Sequence, residues 1–574
     1  MVNSFKYLKI LNSKSRRTGT TSDTPTSKDI KPISSPIKAK TYTGMYAMHK
    51  YWAKKAYNVI NTFIENFTDK GDIVLDPFAG CGVTACEALK LKRKAIAIDL
   101  NPIATFITRM TAIPVNLLEF KKTFEKISHA VKDKINSLYV TECPKCNTKA
   151  IITHTIWKGP SPQKIRFWCP YCKADSWKAP AHIDIEKIKE IEKIEVPHWY
   201  PKQTLIWNTR VNVDESMSVP DLFSKRNLIA LSILYNEIQK IPEEQKDIKN
   251  LMKFVFTSAL PQTSKMVFVI KRRGKVEGKR KNKQPEVGSW VAGYWIPSEH
   301  FEINVWRCFL NRYKRVLKGK KESNEGIGYH YKEAENFDDL LRNSSIYILT
   351  QSATNLHNIP DESVDYVFTD PPHGDRLPYL ELSIMWNSWL GFNSDFDNEI
   401  VISNSPLRKK TIEDYRNRMY KAFMEIYRVL KPNKYMSVTF NSRHAEVLYA
   451  LLTPCAEAGF ELVNVLPLQA SAPSVMQDTR LGALRGDLII TFWKPIVRRS
   501  YDRLSKNDFE ILVKKTVEEV MSKRGITMNQ ILREIIMVLL ENRVLLSKEE
   551  TFKILRKYFV IEEENGRLKR IERR

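Results

Sequence analysis

Over residues 72–110 the apolar positions change period several times. DIVLD and KAIAID are short, almost continuously apolar stretches bounded by turn residues, the pattern of strands buried on both faces. VTACEALKL and NPIATFITRM read as helices, so the segment predicts strand, glycine turn, helix, strand, helix: an α/β unit with parallel strands. The same grammar returns far downstream. SVDYVFTD (363–370) is a buried strand ending in an acid, TIEDYRNRMYKAFMEIYRVL (411–430) is a long amphipathic helix, and YMSVTF (435–440) is the strand after it. FELVNVLPL and DLIITFW close this region before Pro495.

Around the two halves of this α/β core (42–115 and 344–499) the pattern differs. Residues 16–40 are rich in Ser, Thr, Pro and Lys, so 1–41 is expected to be a mobile basic tail. A long insert, 116–343, holds two cysteine pairs and many aromatics. After Arg499 the chain turns to Lys/Glu-rich helical segments (508–524, 527–541, 548–558), expected to form a small C-terminal helical domain over 500–574. There are no internal repeats. With 43% hydrophobic residues the chain is neither disordered nor fibrous. It shows no run of about 18 apolar residues and no apolar signal core at its N-terminus, so a cytoplasmic protein with no membrane association is expected. The 92 Lys and Arg against 65 Asp and Glu leave a formal charge of +27, which favours a polyanionic partner, nucleic acid before an anionic membrane.

Candidate chemistry begins at Asp76-Pro77-Phe78-Ala79-Gly80-Cys81-Gly82. A strand ends in an acid and a two-glycine turn leads into a helix, the switch-point arrangement of a doubly wound sheet. There is no third glycine for a dinucleotide, and Asp76 would repel a pyrophosphate but suit an ammonium. The next strand ends in Asp99, where a carboxylate can bind ribose hydroxyls. A nucleoside carrying a cationic amino acid is S-adenosylmethionine. A second motif, Thr369-Asp370-Pro371-Pro372-His373, follows another strand. Asp370 and the Pro371 carbonyl can each accept from an amino group, and Pro372, lacking an N–H, holds the turn open. An amine held by two acceptors has its lone pair freed for attack, and a flat side chain at His373 can stack on the base that carries it. A plain structural turn is the alternative at each motif, and their pairing in one sheet argues against it.

With these motifs the sequence resembles the amino-methylating DNA methyltransferases, most of all the group described as adenine-specific DNA methylases containing a zinc ribbon. The resemblance rests on MYAMHKYWAKKAYNVI (45–60), DIVLDPFAGCGVTACEALKLKRKAIAIDLNPIA (72–104), DLFSKRNLIAL (221–231), SVDYVFTDPPHGDRLPYLEL (363–382) and LRGDLIITFWKP (484–495). It implies a doubly wound, seven-stranded methyltransferase sheet and methyl transfer to an exocyclic base amine. It also implies a cofactor site of His49, Tyr51 and Trp52 around the methionine end, with Asp76, Phe78, Gly80, Gly82, Asp99 and Asn101. Target recognition would lie in the insert. Two positions depart from the family pattern: His373 stands where Tyr, Phe or Trp is usual, and Ser352 where many relatives carry an acid.

Cys143-x-x-Cys146 and Cys169-x-x-Cys172 have the spacing of a zinc ribbon, here over about 140–178, with a closed structural Zn2+ as the first reading and redox-active pairs as the second. IITHTIWKGPSPQKIRFW between them reads as two strands joined by a Pro/Gly loop. His154 could replace a ligand, although a solvated strand histidine is the simpler expectation. Cys81, Cys86, Cys308 and Cys455 are assigned no chemistry. The basic run 271–283, with Lys271, Arg272, Arg273, Lys279, Arg280 and Lys281, is expected to contact a phosphate backbone. Trp290, Tyr294, Trp295 and Trp306 either stack on bases or belong to the core.

Together these features predict an S-adenosylmethionine-dependent DNA methyltransferase acting on the amino group of a flipped base in double-stranded DNA. Adenine comes before cytosine as target, within restriction-modification or phage defence and with a restriction partner as one option. A tRNA or rRNA guanine-amine methyltransferase and a non-catalytic DNA-binding subunit with a relic core are the alternatives.

Overall fold

Seven short apolar stretches form the central sheet of the computed structural model: β1 (Ile73–Asp76), β2 (Lys94–Asp99), β3 (Ile346–Thr350), β4 (Val364–Thr369), β5 (Leu430–Phe440), β6 (Glu461–Pro467) and β7 (Leu488–Trp493). The structure describes residues 32–42, 44–208, 211–270, 285–290, 293–442, 445–468, 487–498, 506–521, 528–544, 548–564 and 567–573. The predicted phosphate-contacting residues Lys271, Arg272, Arg273, Lys279, Arg280 and Lys281, and most of the basic tail, lie outside them. Residues 33–574 form one compact unit.

The sheet order is β3-β2-β1-β4-β5-β7-β6. Strands β3, β2, β1, β4 and β5 are parallel, while β7 runs antiparallel to both β5 and β6. The chain therefore builds outward from β1 through β2 to β3, then returns to lay β4 on the other side of β1. That reversal opens a crevice at the C-terminal ends of β1 and β4, where ligands bind in doubly wound sheets. The helix Ile412–Val429 buries Tyr415, Met419, Ala422, Phe423, Ile426 and Val429, a stripe at helical spacing, into the core cluster with Leu75, Val367 and Val438. Its start is capped by the Thr411 side chain, which accepts from the Asp414 N–H. Elsewhere on the sheet the helix Tyr57–Phe67 sets Phe63 against Phe368 and stacks Phe67 on Tyr366. β5 starts at Leu430, ahead of the expected Tyr435, because Leu430 already pairs with Val364 of β4 before a register break.

Inserted between β2 and β3 are a small antiparallel sheet and several helices. Val140–Glu142, Lys149–Lys158, Ser161–Cys169 and Ala174–Lys178 form the sheet, and Glu299–Ile303 pairs along Lys149–Lys158. The Pro/Gly loop expected between the two long strands is a tight turn, with Gly159 at φ +55°. Two buried cations tie the insert together and to the core. Arg226 pairs with Glu302. Lys320 donates to the carbonyls of Met110, Thr111 and Ile113, satisfying acceptors left open at the end of the helix Pro102–Ala112. At the C-terminus, the helix Met528–Glu541 packs Ile536, Met537 and Leu540 into the main core, while Ile531, Ile535 and Leu539 join a second cluster with Phe509 and Val513. Among the described residues no helix is long and apolar enough to cross a membrane.

Candidate active site and metal centre

β1 and β4 pair side by side, with Leu75 opposite Val367, so Asp76 and Asp370 emerge at one edge of the sheet. After Asp76 the chain turns through Gly80 (φ +51°) and Gly82 (φ +74°) into the helix Val83–Lys90. Only glycine suits position 82: the left-handed backbone is strained for other residues, and a Cβ there would sit 2.4 Å from Thr108. Asp99, ending β2, accepts from the N–H of Gly80 (2.7 Å) and of Asn101 (2.8 Å), so one carboxylate shapes both strand-end turns. Burial pushes its pKa up to about 6 against the pull of those two donors. Asp76 accepts from Thr369 Oγ1 at 2.7 Å, and burial raises it to about 7. An acid held half-neutral in this way is suited to a cationic ligand, which would restore its charge.

The two turns face one open pocket. Of the residues expected around the cofactor, Tyr51, Trp52, Asp76, Phe78, Gly80, Asp99, Asn101 and Ser352 line it, together with Asp370 and Pro372. His49, Gly82, Pro371 and His373 are not among its lining residues. His49 is buried, with Nε2 at 3.1 Å from Thr257 Oγ1 and Nδ1 at 2.7 Å from the Lys50 carbonyl, and burial lowers its pKa to about 3. It therefore anchors the 49–54 segment from the neutral state. Tyr51 and Asn101 are joined through the Asn101 amide, which also donates to Ser383. Trp52 packs edge-on to Trp290. Of the two readings of the insert's aromatics, Trp290, Tyr294 and Trp306 follow the second and are buried in the core, whereas Trp295 is 45% exposed.

Asp370 Oδ1 gathers His373 Nε2 (2.8 Å), Thr439 Oγ1 (2.8 Å) and Lys55 Nζ (3.2 Å). Lys55 is shared with Asp487 at 2.6 Å, and Asn441 donates to the other Asp487 oxygen. Burial alone would raise Asp370, but the Lys55 cation and then His373 outweigh it and leave the carboxyl below its ordinary range. Tyr415 donates to the Pro372 carbonyl at 2.6 Å and steadies the turn. His373 is 5% exposed, with its ring tilted against Phe440. Nothing local in the sequence singles out Lys55, Asp487, Thr439 or the pocket-lining Tyr379. The nearest signal is the acid opening DLIITFW, which sits at a strand start rather than at a strand end.

Away from this site, Cys143, Cys146, Cys169 and Cys172 bring their sulfurs within 4.8 Å of one another. Cys143 and Cys172 are 4.0 Å apart, and Cys146 and Cys169 3.6 Å. Tetrahedral zinc at about 2.3 Å from each sulfur would set neighbouring sulfurs about 3.8 Å apart, so the donor set fits that ion. His154 is no ligand. Contrary to the expected solvated position, it is buried beside Thr153, and burial lowers its pKa to about 3.

The doubly wound sheet thus brings an acidic glycine turn and an Asp-Pro-Pro turn to one pocket. Residues 4–109 match a family model described as DNA methylase, that of the N6/N4 methyltransferases. Over 112 residues, 18% of this chain, the sequence is 30% identical to the type II methyltransferase M.BsoBI of Geobacillus stearothermophilus, of which 22% is covered. Over 89 residues, 16% of this chain, it is 24% identical to the type II methyltransferase M.MjaII of Methanocaldococcus jannaschii, of which 17% is covered. The matches thus span only about a fifth of each curated relative. A solved DNA modification methylase from Thermus thermophilus aligns with 28% of this chain and 60% of its own, at 16% identity and a TM-score of 0.16. Over these stretches the chain is similar to the amino-methylating DNA methyltransferases.

Proposed function

We propose that this protein is an S-adenosylmethionine-dependent methyltransferase that modifies the exocyclic amino group of a flipped base in double-stranded DNA. Adenine is the target, following the group the sequence resembles. The observation that carries the reading is that the Asp76–Gly80 turn and the Asp370–Pro372 turn, far apart in sequence, line one pocket. S-adenosylmethionine, when bound, supplies a methyl group whose S–C bond breaks with its electron pair staying on sulfur. Asp76 would hold the ammonium of this cofactor and Asp99 its ribose. Asp370 and the Pro371 carbonyl accept from the base amine and orient it, so that its lone pair forms the new N–C bond. The surplus proton then leaves to solvent, because Asp370, held below its ordinary pKa, takes it up poorly. The base leaves the duplex to reach these groups. The four cysteines would hold a structural Zn2+, and the +27 charge suits a DNA partner. Kinship to type II methyltransferases supports a role in restriction-modification, carried out in the cytoplasm.

The test is transfer of a labelled methyl group by the purified full chain to duplex DNA and to transfer RNA, with nucleoside analysis of the product. N6-methyladenine from DNA is expected. N4-methylcytosine would move the target to cytosine, whereas label in RNA guanine with none in DNA would replace the reading altogether.

A further inference from the structure

Among the described residues, every hydrogen bond and ion pair to Asp370 falls on one oxygen, Oδ1. The three donors on Oδ1 come from three separate parts of the chain: Lys55 from the segment ahead of the helix Tyr57–Phe67, His373 from the turn itself, and Thr439 from β5. A carboxylate offers about two lone-pair directions on each oxygen. Three donors therefore exhaust Oδ1 and leave Oδ2 as the oxygen with capacity for a further donor, on a residue that lines the pocket. His373 is placed differently. It is buried, its ring lies 4.7 Å from that of Phe440 at 59°, and Nε2 is committed to Asp370. It is not among the residues that line the pocket, where a base would have to stack. Lys55 is held in turn by Asp487, which Asn441 fixes from its other side, so the ammonium is bridged between two acids.

From this geometry, and resting on the methyl-transfer reading, we propose that His373 and Lys55 are positioning residues for that reaction: they lock Asp370 through Oδ1 so that Oδ2 is the oxygen offered to the target amine. His373 then acts through its Nε2–H and not through the face of its ring. Lys55 additionally keeps Asp370 ionised, the stronger acceptor and one that carries no competing O–H, where burial alone would favour the neutral acid.

Substitutions at 373 separate a donor from a ring. His373→Gln can keep an N–H toward Asp370 without an aromatic face, whereas His373→Phe keeps a face without a donor. With the full-length protein, saturating cofactor and duplex DNA, single-turnover methyl transfer by His373→Gln should stay within about fivefold of wild type. His373→Phe should fall by about tenfold to a hundredfold, the worth of a hydrogen bond to a charged group. Affinity for S-adenosylhomocysteine should not change in either. In Lys55→Met the acid limb of the rate profile should move to higher pH, because Asp370, freed of the cation, protonates earlier as pH falls; a packing defect would lower the rate without moving the limb. A Phe variant as fast as wild type beside an inactive Gln variant, or an unmoved acid limb in Lys55→Met, would overturn the proposal. A further measurement stands apart from turnover. In the 15N-histidine-labelled protein, the resonance assigned by its loss in His373→Gln should show a protonated Nε2, and an unprotonated Nε2 would overturn the proposal even if methyl transfer is established. If the wild-type protein transfers no methyl group to any DNA base, the function assigned above fails, and the histidine resonance still decides whether this network exists.

Discussion

At the scale of single residues, Asp76 is where burial and ligand charge oppose each other. Its carboxyl is raised to about 7, so the acid is largely neutral on the acidic side of that value and ionised above it. Binding a cationic amino acid needs the ionised form. Affinity for S-adenosylhomocysteine should therefore weaken as pH falls through about 7, by a limiting factor of about ten per pH unit, and Asp76→Asn should bind weakly with a flat profile; calorimetric titrations on either side of neutrality read both. Two other aspartates should divide the work. Asp370→Ala should abolish transfer and leave cofactor affinity nearly intact, while Asp99→Ala should lose cofactor affinity. Equal losses in the two variants would mean that the sites are misassigned. All three acids are legible in the sequence because each closes or follows an apolar run that can only be a strand, and topology then delivers its side chain to the crevice. Lys55 and Asp487 are not legible: their contact spans 432 positions, and no local period marks either one. His373 is visible as an unusual residue, yet its orientation depends on Phe440 and Thr439 from another strand.

At the scale of elements, the cysteine-bearing sheet and its neighbours depend on a few polar anchors. Cys143→Ser should release zinc and loosen the insert, lowering DNA binding more than cofactor binding, since a structural site contributes folding energy directly; metal analysis and limited proteolysis are the readouts. Arg226 and Glu302 form a buried pair that also engages Ser224 and Trp157. Arg226→Met should destabilise the protein by about 3–5 kcal/mol, because it leaves Glu302 charged and unpaired in the interior. Urea unfolding followed through the insert's tryptophans measures it. The ribbon strands are readable from two cysteine pairs and a Gly-Pro turn. The burial of His154 is not, because the strand Glu299–Ile303, which contributes Phe301 against its ring, comes from far along the chain.

For the whole molecule, the excess of 27 positive charges would govern binding to the DNA proposed as its substrate. A binding constant governed by phosphate contacts falls with salt at a log–log slope of about −0.9 per phosphate neutralised. A slope of about −4 or steeper is expected for duplex binding, against almost none for the cofactor product; fluorescence anisotropy over a salt series checks it. The C-terminal segment shows how whole-molecule packing escapes a local reading. Its Lys/Glu-rich helices look solvated one at a time. In the folded protein Ile536, Met537 and Leu540 join the main core, and Arg543 pairs with Glu461 on β6. A hydrophobic stripe is visible in sequence, but what covers it is not.

The sheet order has a consequence for how the molecule comes into being. β1 lies between β2 and β4, and the Ile73 N–H is bonded to Asp365, 292 residues later. While the chain is being made, β1 and β2 can pair early, but the other edge of β1 stays open until β4 has been synthesised. An uncovered apolar edge is a template for the wrong partner, and slow long-range pairing prolongs its exposure. Closing so long a loop costs about 2 kcal/mol more than closing the short one between β1 and β2. The intervening insert, whose hairpins are local, can condense first and shorten the distance to be closed. Nascent chains that end before β4 should therefore aggregate through an orphaned strand edge, and the protein should need a holding chaperone during the interval in which half of its active site does not yet exist.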